Sequence, residues 1–127
     1  MKKKIKLYDS TLRDGAQTKG VNFSLNDKLK IISLLDEIGI DYIEGGWPGA
    51  NPTDNVFFQK LPKLFNSKAV AFGMMRKSGK SSQNDPGLNT VLNSGVSFFT
   101  SCGIFSLRIG MYCARGVPLC KLNTPNL

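Results

Sequence analysis

Three times within the first hundred residues a short apolar run gives way to a polar, glycine-bearing loop and then to a helical pattern, and this alternation constrains the fold more than any other property of the chain. The first run, Lys4 to Tyr8, alternates Ile5 and Leu7 with Lys6 and Tyr8. It leads through Asp9–Gln17 to Ser24, a suitable N-cap with Asp27 in the first turn. Leu29, Ile32 and Leu35 with Ile31, Leu34 and Ile38 then give a broad apolar helix face, and Gly39 is placed to end it. The second unit runs from Ile40–Glu44 through Gly45–Gly49 to a helix expected over 55–65 and interrupted at Pro62. The third begins at Ala69–Met75, reaches Arg76 and a polar loop, and continues with Asp85 as N-cap and Pro86 at the first helical position, closed by Gly95. A fourth strand is expected over Val96–Thr100.

Strands separated by helices pair in parallel through right-handed crossovers, so the class is α/β. An eightfold barrel of such units needs about 250 residues, and the 127 residues here suffice for the first half of a (β/α)8 TIM barrel. A small open α/β sheet is the other architecture that four strands satisfy. The pattern fails after Thr100. Residues 101–127 hold three basic and no acidic side chains, all three cysteines, and Pro118 and Pro125, and are expected to form an irregular tail. The organisation is thus a partial barrel domain over 1–100 followed by that tail.

At 41% hydrophobic and 20% charged the chain has an ordinary globular composition. No apolar run approaches the roughly 20 residues of a membrane span, and the basic start Met1–Lys4 is not followed by a signal-type apolar stretch, so a cytoplasmic location without membrane association is expected. The net charge of +8 suits an anionic small molecule. Lys2, Lys3 and Lys4 carry no interleaved aromatic residues or recognition-helix signature, so nucleic acid is not an expected partner. The spacing of Cys102, Cys113 and Cys120 matches neither a zinc nor a redox pair, which leaves them as small apolar filler.

Asp9–Gln17 places Arg13 and Asp14 together where the first strand ends. An aspartate there can give an oxygen to a divalent metal, and the adjacent arginine can stabilise an oxyanion; the same pair also reads as a surface ion pair. Glu44, followed by two glycines, reads either as a carboxylate facing a cavity or as an ion-pair partner of Arg13 or Arg76. Arg76 ends the third strand, so charged side chains recur at successive strand ends. Trp47 reads as a packing residue. Gly79-Lys80-Ser81 lacks the first glycine of a phosphate loop, since position 74 is Met74; it reads as a plain surface loop or a basic active-site loop. The chain contains no histidine, the usual partner of zinc or manganese, so a metal site made from these residues is incomplete.

Asp9–Gln17, together with Ile43-Glu44-Gly45-Gly46-Trp47-Pro48-Gly49-Ala50-Asn51-Pro52-Thr53-Asp54, resembles the amino-terminal part of the acetyl-CoA-dependent 2-oxo acid condensing enzymes. These are the 2-isopropylmalate, homocitrate and citramalate synthases of the pyruvate carboxyltransferase-like barrel superfamily. The Gly45–Pro52 run and Asn84–Leu88 are most similar to the citramalate members, and the resemblance covers about residues 4–100. It implies an acyltransferase using a divalent metal (Mg, Mn or Zn) and acetyl-CoA with a 2-oxo acid, pyruvate in the citramalate case on a route to isoleucine. It also implies Asp14 as a metal ligand, Arg13 and Arg76 in substrate binding, and Arg13, Gln17 and Glu44 in catalysis; a homodimer is compatible with it. The family draws a histidine pair and further groups from later strands. With the loss of pattern at Ser101-Cys102-Gly103, this implies a truncated or frameshifted fragment that is inactive by itself.

Overall fold

The computed structural model describes residues 5–74, 77–81, 84–103 and 106–113. Its best-defined local signal is also its longest helix, Leu25–Ile38 (α1). The Ser24 hydroxyl accepts from the Asp27 backbone N–H at 3.2 Å while the Asp27 carboxylate accepts the Ser24 N–H at 2.9 Å, so the two residues cap each other. Gly39 closes the helix in the left-handed region, at φ 88°.

The first strand is shorter than the alternation suggests. In place of Lys4–Tyr8 it comprises Tyr8–Asp9 (β1), because the Asp41 carboxylate takes the Leu7 N–H at 2.9 Å and the Lys6 ammonium. A side chain thus takes the Leu7 N–H, while the Leu7 carbonyl still accepts the Tyr42 N–H at 3.0 Å. The second strand, Tyr42–Gly46 (β2), begins and ends two residues later than expected, with a register irregularity between Glu44 and Gly46. Glu44 therefore lies within the strand and not at its end. The second helix, Pro52–Gln59 (α2), starts before 55 because Asn51 accepts the Thr53 N–H at 2.9 Å and Pro52 takes the first turn. It stops short of Leu61, the residue before Pro62, where helical backbone is disfavoured. Lys68–Met74 (β3) and Pro86–Leu92 (α3) follow, α3 capped by Asp85 through the N–H groups of Gly87 (3.1 Å) and Leu88 (3.3 Å). The fourth strand is Phe98–Gly103 (β4), again later than expected. The segment expected to be irregular begins with a regular element, Ser106–Cys113 (β5), antiparallel to β4; residues 114–127, with Cys120, lie outside the described residues.

The sheet order is β1-β2-β3-β4-β5, with the first four strands parallel. Sequential order means that every crossover steps the same way and leaves its helix on the same face. Ile43, Ala69 and Ala71 on that face pack in one core with Ile32 of α1, Phe57 and Phe58 of α2 and Val91 of α3. An open doubly wound sheet reverses its order and carries helices on both faces, so this winding is that of a barrel's first half. Gly73 lets α3 approach β3, since a Cβ there would lie 2.6 Å from Val91 Cγ2. Side chains of the opposite parity, Glu44, Phe72 and Thr100 among them, are left to the other face.

Candidate active site at the carboxyl ends of the strands

The loop after β1 is built on one carbonyl. Ser10 C=O accepts from the N–H groups of Arg13 (3.2 Å), Asp14 (2.8 Å) and Gly15 (3.3 Å), and the Asp9 carboxylate accepts from Thr11 N–H (3.0 Å) and Thr11 Oγ1 (2.9 Å). Both oxygens of Asp9 are thus spent on turn geometry. Leu12, fully buried, anchors the loop in the core and turns Arg13 back over the sheet.

Arg13 is held from three sides. Its Nε donates to Glu44 Oε2 at 2.9 Å, one terminal nitrogen meets Asp14 Oδ1 at 3.2 Å, and the guanidinium lies 4.3 Å from the centre of the Phe72 ring. The other Glu44 oxygen accepts the hydroxyl of Thr100 from β4. Glu44 is 1% exposed, so this carboxylate is a buried anchor with both oxygens engaged. Asp14 is different: its side chain is 64% exposed, and among the described residues it engages Arg13 through Oδ1 alone. The Tyr8 hydroxyl belongs to the same cluster. Although the residue is 42% exposed, burial of the phenol pushes its pKa well above the usual value near 10; the Glu44 carboxylate adds to this, while Thr100 and Arg13 oppose it.

The structure therefore brings together Arg13, Asp14 and Glu44, and Trp47 packs edge-on to Phe72 at 5.3 Å as a packing residue would. Gln17 ends the short 3-10 turn Gly15–Gln17 and, with Arg13, Trp47, Asn51 and Thr53, lines a neighbouring recess of about 170 Å³. Arg76 lies outside the described residues. Sequence reasoning missed Thr100, Tyr8 and Phe72. Thr100 shares the parity of Phe98 in β4, and nothing in its own strand marks the hydroxyl as the partner of Glu44. Among the described residues no group of three or more histidine, cysteine or acidic side chains could hold a metal ion. Asp14 could give one oxygen, and one ligand does not make a site.

The residues 4–92 match the family model described as HMGL-like. The chain is 48% identical over 105 residues to the (R)-citramalate synthase of Aquifex aeolicus, covering 81% of this chain and 20% of that protein. It is 47% identical over 96 residues to the (R)-citramalate synthase of Sulfolobus acidocaldarius, 74% of this chain and 18% of the relative. A 2-isopropylmalate synthase from Listeria welshimeri is 52% identical over 68 residues, 54% of this chain and 13% of that protein. The match to the citramalate synthases thus spans about a fifth of their length. No helix among the described residues is long and apolar enough to cross a membrane.

Proposed function

The chain belongs to the HMGL-like family, and from that membership we propose that it supplies the first β/α units of a synthase that condenses acetyl-CoA with a 2-oxo acid. Pyruvate is the proposed acceptor, giving citramalate, because the citramalate synthases match over 74–81% of this chain against 54% for the 2-isopropylmalate synthase. In that reaction the acetyl methyl carbon loses a proton and bonds to the ketone carbon. Water then hydrolyses the thioester and coenzyme A leaves as the thiol.

The observation that carries the reading is the clamped guanidinium of Arg13, fixed by Glu44 at 2.9 Å and Asp14 at 3.2 Å over the Phe72 ring at the rim of a parallel sheet. A cation held in this way needs no reorganisation to meet negative charge as it develops on the ketone oxygen, or to bind the carboxylate of the 2-oxo acid. Glu44 acts by orienting Arg13, and Gln17 lies beside it on the recess wall. A divalent metal would polarise the ketone, and Asp14 is the described carboxylate open to give it one ligand. Because the described residues complete neither the metal site nor a base for the methyl proton, the chain alone is expected to be inactive.

The test is thiol release from acetyl-CoA with pyruvate, magnesium or manganese, and the purified chain, alone and mixed with a polypeptide comprising the remainder of a citramalate synthase. The expected result is no release by the chain alone and pyruvate-dependent release by the mixture, abolished by Arg13→Ala. Release by the chain alone, or none from a mixture that associates, would overturn the proposal.

A further inference from the structure

We infer that Lys28, on the inner face of α1, is a positioning residue for Arg13, acting through Asp54, Trp47 and Phe72. Lys28 is 3% exposed and Asp54 6% exposed, and the two form an ion pair between α1 and α2, with the ammonium 5.2 Å from the centre of the Phe57 ring. A pair so deeply buried contributes little net stability beside an apolar replacement, but removing one partner leaves the other charge stranded. What this pair supplies is a fixed carboxylate.

That carboxylate seats the loop after β2. The second Asp54 oxygen accepts the Trp47 backbone N–H at 2.9 Å. Gly46 lies so close that a Cβ there would come 2.5 Å from the carboxylate carbon, at a φ of 150° that disfavours other residues. Trp47 meets Phe72 edge-on, with ring centres 5.3 Å apart and planes at 77°, and Phe72 carries the Arg13 guanidinium 4.3 Å from its ring centre. Loss of the Lys28 ammonium leaves the buried Asp54 carboxylate without its counter-charge, and the carboxylate swings toward solvent. Trp47 then loses its seat, Phe72 loses the edge contact that sets its ring, and Arg13 loses its platform. That Arg13 meets substrate rests on the function proposed above; the mechanical link does not.

Spatial continuity alone does not establish coupling, so the test reads both ends of the series in the full chain. Trp47 is the single tryptophan, and its fluorescence reports the near end. Hydrogen exchange of the Arg13 Nε–H, bonded to Glu44, reports the far end by nitrogen-15 NMR. Lys28→Met is expected to shift Trp47 emission to the red and to speed Arg13 Nε–H exchange roughly tenfold beyond Asp36→Asn, a control at the far end of α1 compared at matched stability. Phe72→Leu is expected to free Arg13 by itself, after which adding Lys28→Met should speed its exchange little further. Should Lys28→Met fail to fold, Lys28→Gln, which keeps a donor for Asp54 but no charge, replaces it; both readings are then expected to move in the same direction, beyond the control but by less than tenfold. Arg13 exchange equal to the control, or additive effects of the Lys28 and Phe72 variants, would overturn the inference. A failed thiol-release assay would leave these readings untouched, so the two proposals can fail separately.

Discussion

Arg13 and Glu44 depend on each other because one of them is out of reach of water. With the Arg13 side chain removed, the 1%-exposed Glu44 carboxylate is left to neutral hydroxyls, those of Thr100 and Tyr8 among them, and Arg13→Ala should cost about 3 kcal/mol in urea unfolding. Adding Glu44→Gln should recover part of that loss, since the stranded charge is gone. Tyr8 gives the cluster a pH signature. Its phenol pKa is raised in the folded state above the usual value near 10, so the neutral form is favoured by folding. That stability is fully present below pH 10 and is lost as pH rises from there toward the folded-state pKa. Denaturation midpoints from pH 9 to 11 should fall, and fall less in Tyr8→Phe; parallel curves would remove Tyr8 from the cluster. Of these residues the sequence makes Arg13, Asp14 and Glu44 legible, because a charge beside a strand-loop junction stands out. Thr100 and Phe72 do not stand out, since their roles come from facing Glu44 and Arg13 across strands distant in sequence.

The helices follow their local signals where the cap is a side chain, and depart from them where tertiary partners intervene. Ser24, Asp27, Gly39, Asp85 and Pro86 each do what their chemistry suggests. The strand bounds slip because ladders depend on partners: Asp41 takes the Leu7 N–H that a neighbouring strand would have bonded, and Gly45 and Gly46, seated closely against Phe57 and Asp54, lie within β2 beyond Glu44. The join between α1 and β3 rests on Asp36. Its carboxylate accepts the N–H groups of Phe65 (2.9 Å), Asn66 (2.8 Å) and Ser67 (2.7 Å). Desolvation pushes its pKa up, but these three donors outweigh it and hold the group below the usual carboxylate range. The resulting stability is present above the unfolded-state pKa and is lost as pH falls through the depressed folded-state value. Asp36→Ala should destabilise by roughly 2–4 kcal/mol, with a shallower loss on acidification than the parent chain shows; an unchanged acid profile would argue against the clamp.

At the scale of the molecule, sequential parallel strands with helices packed in one core are the opening of a barrel, and the alternation of patterns made that class legible while β5 was not. A strand without acids, caps or a crossover helix leaves no periodic trace apart from its apolar residues. The opposite edge is two-residue β1, preceded by Ile5 at 83% and Leu7 at 53% exposure. A strand this short gives an added strand little to pair with, but the exposed Ile5 and Leu7 beside it invite association. Light scattering behind size exclusion should show concentration-dependent association, reduced in Leu7→Lys; a monodisperse monomer at all concentrations would refute this. Ile43 and Glu44 are neighbours in β2, one in the helix-covered core and the other under Arg13. If β2 slid by a single residue, the carboxylate would fall among Ile32 and Phe57, and an isoleucine would face the guanidinium. Misthreading would therefore bury a charge and expose an apolar side chain at once, so any molecule that survives cellular proteolysis has already been screened for Glu44 lying beneath Arg13.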